Sequence, residues 1–305
     1  MIVQKHISFV QLIRIIWLEL LAILAVATFT VTSLIYFHLG EYAINASIPL
    51  VFGTAIAIFL GFRTNSAYER WWEARKLWGA IISDSRNLVR LCNDFLGTAN
   101  RSDLATHDSV VREICYRQAA WAQLLNRRFK ELPLVGVEHL LSDDELAAID
   151  KANDPALMLL SSQGRSVRAA LEAGLLDSRQ SVLIEETLSR LFDHYGGCQR
   201  IKFTVFPVHY SFFTRVFIWI FLFLLGFSLP FHENANYFLI PAIFLIGWVF
   251  FMVEGIGSYM QDPFENNRNV IPMDALARMI EINLREMIGD TELPKPVEPI
   301  DGALY

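Results

Sequence analysis

The sequence predicts an all-α membrane protein, and three observations carry that prediction. Hydrophobic residues make up 53% of the 305 positions, and the mean hydropathy is +0.35. Ordinary soluble domains are less apolar. Charged residues, 19% of the chain, crowd into 63–215 and 254–301. Apolar positions recur at helical spacing throughout, with no strand alternation, long-period repeat or low-complexity tract.

Four apolar segments are expected to cross the bilayer, at about 18–37, 44–62, 214–230 and 237–256. A spanning helix needs about 20 apolar residues. The third is short unless it begins before Arg215, whose long side chain can snorkel to the interface. The connections Leu39–Ala43 and Phe231–Asn236 contain no Lys or Arg. The opposite side carries Lys5, Arg14, Arg63, Arg70, Arg75, Lys76, Arg200, Lys202 and Arg215. By the positive-inside rule both termini are cytoplasmic, and 63–213 with 257–305 form a cytoplasmic helical region. No cleavable signal is expected at the start, and the chain reads as a single unit over 1–305. Cys92, Cys115 and Cys198 all fall in the cytoplasmic part, and an odd count there argues against disulfides. The net charge of -6 and the lack of a long basic run argue against nucleic acid as a partner.

The second segment runs from Ile48-Pro49-Leu50 through Gly61-Phe62 into Arg63-Thr64-Asn65 and on to Trp78 without a breaker. The expectation is one continuous helix that leaves the bilayer and enters the cytoplasm. The periodicity then continues to Leu96. Further helices are expected over 108–130, after a Ser142/Glu145 capping box, from Asp154-Pro155, and from Asp177 or Ser178 to Tyr195, where Gly196-Gly197 interrupts. The segment Asp262-Pro263 ends the fourth membrane helix, and the Pro-rich tail 293–299 is extended.

No catalytic constellation, phosphate-binding loop or metal motif is present. His194 and Cys198 stand at i, i+4, but two ligands without companions make a weak metal site. Asp143-Asp144-Glu145 reads as a charged helix start. No Asp, Glu or Arg cluster is expected mid-membrane, which speaks against a proton-coupled carrier. No cofactor is expected, and enzyme action is disfavoured.

Spacing of four places Thr54, Ile58 and Phe62 on one stripe of the second helix, flanked by Gly53, Ala55, Ala57 and Gly61. Two readings are open. Small residues permit ordinary close packing in a bundle. Alternatively, several copies of the stripe form a ring around an axis, a hydrophobic constriction that gates by dewetting. The second reading requires a cyclic homo-oligomer.

The blocks Gly61-Phe62-Arg63-Thr64-Asn65 and Ala67-Tyr68-x-Arg70-Trp71-Trp72-Glu73-Ala74-Arg75-x-Leu77-Trp78-Gly79, with Asp262-Pro263-Phe264 far downstream, resemble the bestrophin family in its bacterial branch. Ile48-Pro49-Leu50 and Gly196-Gly197-Cys198 fit as well. The resemblance implies a homopentameric channel for small monovalent ions in the bacterial inner membrane, with one central pore. It implies a hydrophobic neck at Thr54, Ile58 and Phe62, where Thr54 departs from the larger apolar residue usual in the family. It implies a second cytoplasmic restriction near Arg179, where an arginine ring would favour anions; an exposed arginine at a helix start is the plain alternative. Arg70, Trp71, Trp72, Asp262, Pro263 and Phe264 are expected to couple the neck to the cytoplasmic helices. Chloride and other anions are the expected cargo by resemblance, with a cation-selective channel of the same fold, or a membrane-anchored scaffold without ion flux, as alternatives. Animal relatives use an acidic cluster after the Asp-Pro-Phe segment to sense calcium. Glu265-Asn266-Asn267-Arg268-Asn269 has one carboxylate and a cation here, so calcium gating is expected to be absent.

Overall fold

The computed structural model of the chain describes residues 9–37, 44–96, 104–204, 208–228, 236–265 and 271–299. Lys5, the connections 39–43 and 231–235, and the Asn266-Asn267-Arg268-Asn269 stretch lie outside the described residues. Among the described residues every regular element is helical. The helices are α1 (Phe9–Tyr36), α2 (Ser47–Leu96), α3 (Leu104–Phe129), α4 (Asp143–Lys151), α5 (Pro155–Glu172), α6 (Ser178–Phe203), α7 (Val208–Gly226), α8 (Leu239–Met260) and α9 (Met273–Met287), with a 3-10 turn at Asn236–Phe238 before α8. The chain divides into two compact units, 4–71 with 205–261, and 1–3 with 72–204 and 262–305.

The first unit holds α1, the first half of α2, α7 and α8. Three described helices are long and apolar enough to cross a membrane: Trp17–Tyr36, the helix Ser47–Leu96 and Leu239–Met260. The apolar stretch Tyr210–Gly226 is shorter. α7 runs from Val208 to Gly226, so the third helix does begin before Arg215. α2 begins at Ser47, not at 44, because Asn45 Oδ1 accepts from the Ser47 backbone N–H at 3.0 Å and caps the first turn. Ile23, Ala27, Val31 and Leu34 form one buried stripe of α1. They share a core with Ile56 and Leu60 of α2, Ile218, Phe221 and Leu222 of α7, and Ile243 and Phe251 of α8. The opposite faces of the same helices carry exposed Trp17, Leu21, Phe29, Phe223 and Val249. Helices apolar on both sides, with backbone groups satisfied internally, are the form a chain takes in lipid.

The second unit holds the rest of α2 with α3, α4, α5, α6 and α9. Its core contains Trp78, Ile81, Leu88, Trp121, Phe129, Leu191 and Ile280, all essentially inaccessible. Ser142 caps α4, its hydroxyl accepting from Glu145 N while the Glu145 side chain returns to Ser142 N, which is the capping box the sequence predicts. Asp154 caps α5 by accepting from Leu157 N at 3.1 Å, with Pro155 at the first helical position. Asp177 caps α6.

Gly196 and Gly197 do not interrupt α6, which continues to Phe203. The reason is packing: a Cβ on Gly197 would lie 3.0 Å from Leu77 Cδ1, so glycine lets α6 pass close to α2 at no cost to the helix hydrogen bonds. α9 is an element that the sequence reading did not single out. Its following turn is tied down by Asp290, which accepts from Arg112 Nη1 at 2.7 Å, Tyr116 Oη at 2.7 Å and Arg285 Nε at 2.9 Å. Burial pushes the Asp290 carboxyl upward, but the hydrogen bonds from Tyr116, Arg285 and Arg112 outweigh it and hold it below the usual carboxylate range. The three cysteines are buried, and burial pushes each thiol up to about 12, which makes them unreactive core groups.

Candidate functional site

α2 is one helix of 50 residues. Within 47–71 its two faces differ sharply. Gly53, Ile56, Leu60, Arg63 and Ala67 are buried. They follow one another at steps of three and four, the spacing of a single helix face. Gly53 sits against α7: a Cβ there would come within 2.6 Å of Phe221 Cε2. The opposite face is open. Thr54, Ile58 and Phe62 are exposed, Ile58 at 57% and Phe62 at 69%. Ala55, Ala57 and Gly61 are exposed beside them, and a Cβ at Gly61 would meet nothing within 4 Å. The small residues therefore divide: Gly53 serves packing inside the subunit, and Ala55, Ala57 and Gly61 belong to the open face. Thr54 donates its hydroxyl proton to Leu50 O at 2.8 Å. What it turns outward is a methyl group and an oxygen with free lone pairs.

The buried face contains a charge cluster that the sequence reading missed. Arg63 and Glu254 are each 1% exposed. Arg63 Nη1 donates to Glu254 Oε1 at 2.9 Å. Its Nη2 donates to Ser211 Oγ at 2.8 Å and Ser258 Oγ at 2.7 Å, and Ser258 Oγ donates in turn to Glu254 Oε1 at 2.8 Å. Arg215 Nε lies 3.2 Å from Glu254 Oε2. The network joins α2, α7 and α8. A buried ion pair is tolerable only when its remaining donors and acceptors are satisfied, and the serines supply that here. The network lies at the ends of the apolar segments, so it leaves the expectation of no Asp, Glu or Arg cluster mid-membrane as it stood. Glu254 is the only formally charged residue of α8. Arg63 is the first charge of α2. A lone charge in an apolar helix needs a partner, and that was the available signal.

Arg70 and Trp71 are half-buried and Trp72 is 47% exposed; Tyr68 and Trp71 stack at 6.1 Å. In the second unit Phe264 is fully buried and stacks on Phe129 at 4.9 Å. Asp262 Oδ1 accepts from Phe264 N at 3.0 Å, and its Oδ2 accepts from Lys202 Nζ at 3.0 Å. Pro263 O accepts from Ile271 N at 3.3 Å. Arg179 is exposed in the first turn of α6, with its backbone N–H donating to the Asp177 cap at 2.7 Å. His194 and Cys198 are not a metal pair: His194 Nε2 lies 2.9 Å from Asp84 Oδ2, and Cys198 is fully buried. Asp143, Asp144 and Glu145 form the first turn of α4. No group of three or more metal-ligating side chains occurs among the described residues.

A family model for the Bacterial/Fungal Bestrophin protein matches residues 7–286. The chain belongs to the bestrophin family. A bestrophin homolog of Klebsiella pneumoniae, solved by crystallography, superposes with a TM-score of 0.83 at 26% identity, covering 91% of this chain and 100% of the homolog. The voltage-dependent anion channel-forming protein YneE of Escherichia coli O157:H7 is 32% identical over 265 residues, 87% of this chain and 83% of that protein. A voltage-dependent anion channel-forming protein of Nostoc sp. is 28% identical over 254 residues, 82% of this chain and 81% of that protein. The open stripe of α2, the Arg63–Glu254 network, Arg179 and the Asp262-Pro263-Phe264 turn all fall inside the bestrophin match.

Proposed function

We propose that the chain is the subunit of a homopentameric passive channel for small monovalent ions, anions foremost, in the bacterial inner membrane. The observation that carries the reading is the open stripe of α2: an apolar face with Thr54, Ile58 and Phe62 exposed, on a helix long enough to cross a bilayer and continue beyond it. The bestrophin relatives in Escherichia coli and Nostoc are named anion channel-forming proteins, which supports anions as the cargo class.

In this reading five copies turn Thr54, Ile58 and Phe62 toward a common axis. Three stacked rings form a neck that passes ions only when wetted. Lipid covers the outward faces of α1, α7 and α8, and both termini and the second unit are cytoplasmic. Arg179 forms a second restriction, where five guanidinium groups attract anions. Arg70, Trp71 and Trp72, with Asp262, Pro263 and Phe264, tie the neck to the cytoplasmic helices. The protein performs no chemistry on its cargo. It lowers the barrier to crossing.

The test is purified full-length protein in planar bilayers under a NaCl gradient. The wild type carries current with a reversal potential displaced toward that of chloride. Ile58→Ala combined with Phe62→Ala widens the neck; if it lowers the wetting barrier by about 1.4 kcal/mol, current rises about tenfold. Monodisperse oligomers that stay silent in both forms would sink the reading.

A further inference from the structure

The stripe that the neck is built on does not end at Phe62. One residue of an α-helix turns about 100°. With Thr54 at zero, Ile58 lies at about 40° and Phe62 at about 80°, and Asn65 returns to about 20° and Glu69 to about 60°. Asn65 and Glu69 therefore stand on the arc that the neck residues occupy. Both are exposed, and Glu69 is the first exposed charge on α2 after the apolar stripe. Arg63, the nearest cation before it, lies at about 180° on the opposite face. It is 1% exposed and committed to Glu254. Arg70 falls at about 160° and is half-buried. Neither is on the arc where Glu69 stands.

The Glu69 side chain is also held. Asn65 Nδ2 donates to Glu69 Oε1 at 2.8 Å. Helical side chains lean toward the N-terminus, so the carboxylate reaches back over the turn that follows Phe62. Glu69 stands about 10 Å along the helix axis from Phe62. That is close to the Debye length of about 8–10 Å at ordinary salt, so the charge is felt at the neck.

We infer that Glu69, positioned by Asn65, is a charge-selectivity residue of this channel: five carboxylates ring the mouth of the neck beyond Phe62, raise local cation concentration and oppose anion entry. The inference rests on the proposed pore. It deepens that reading, because it sets a negative ring at the neck against the positive ring proposed at Arg179. The net preference of the channel is then a balance that includes these two fixed charges, and removing the Glu69 charge shifts it toward anions.

The experiment measures reversal potentials of full-length wild type, Glu69→Gln, Glu69→Asp, Asn65→Ala and Asp144→Asn. Each is purified as a monodisperse oligomer and placed in neutral phosphatidylcholine bilayers under a tenfold NaCl gradient. Glu69→Gln raises the chloride-to-sodium permeability ratio about threefold at ~0.1 M salt, and the change fades toward 1 M as the Debye length falls to about 3 Å. Asn65→Ala moves it the same way by less, and Glu69→Asp keeps the wild-type value. Asp144→Asn removes an equal charge from the exposed first turn of α4 and changes nothing. Conducting Glu69→Gln with the wild-type ratio at low salt overturns the inference and leaves the channel reading standing. No current from the wild type overturns the channel reading itself, and this inference with it.

Discussion

Phe62 and Arg63 are neighbours in sequence and opposites in environment. The phenylalanine is 69% exposed and the arginine 1%. On a soluble helix the assignment is the reverse. The difference shows what the surroundings of this stretch must be. An apolar side chain facing outward costs nothing where the outside is lipid, or another copy of the same stripe. A charge has no such freedom, and it turns inward to groups able to satisfy it, Glu254, Ser211 and Ser258 among them. The buried face of α2 is thus specified by partners within the subunit, whereas the open face has none there and is the face on which the proposed channel rests.

The sharpest way to break this comparison is at the ion pair. Arg63→Ala leaves Glu254 buried with Arg215 as its remaining cation. Removing one member of a buried pair costs about 3–5 kcal/mol, so the variant unfolds at clearly lower temperature in detergent, or fails to accumulate. Arg63→Ala with Glu254→Ala is less damaged than the two single losses summed, because no charge is stranded. A single variant that unfolds with the wild type would mean the network contributes no net stability.

The two glycines of the α2 membrane stretch give the next largest contrast. Gly53→Ala drives a methyl group to 2.6 Å from the Phe221 ring. Overpacking of this kind costs about 1–3 kcal/mol. Gly61→Ala meets nothing within 4 Å and, by removing a poor helix former, raises stability by up to about 1 kcal/mol. Thermal unfolding of the two variants side by side reads the difference. Equal behaviour would show that the faces are not distinguished by packing within the subunit.

Much of this was legible from residues alone. The helix from Ser47 through Trp78 needed only the absence of a breaker after Pro49. The Ser142/Glu145 box, Asp154-Pro155 and Asp177 mark their helices through local hydrogen bonds, which short spacing encodes. The stripe of Thr54, Ile58 and Phe62 follows from period alone. What was not legible depends on distant partners. Arg63 and Glu254 lie 191 positions apart, and nothing local names one as the mate of the other. Gly196-Gly197 reads as a break because glycine is a poor helix former, and only the Leu77 side chain shows why glycine is wanted there. α9 starts at a Pro272 cap with no side-chain hydrogen bond, so it lacks the marker that revealed α4, α5 and α6.

The smallest expected effect concerns Thr54, the polar member of the open stripe. Its hydroxyl proton is used by Leu50 O, so its polarity toward the outside is that of an acceptor oxygen. Thr54→Val removes that oxygen and keeps the shape. The lost bond strands nothing, since Leu50 O remains an acceptor within the helix, and stability is unaffected. In the proposed pore the change makes the first ring wholly apolar and raises the wetting barrier; a rise of about 0.7 kcal/mol lowers current about threefold. Thr54→Ser keeps the oxygen and the current. Single-channel recordings of the two variants separate hydroxyl chemistry from pore width. If Thr54→Val conducts as well as the wild type, the polarity of this ring does not set wetting, and the open face acts through Ile58 and Phe62 alone.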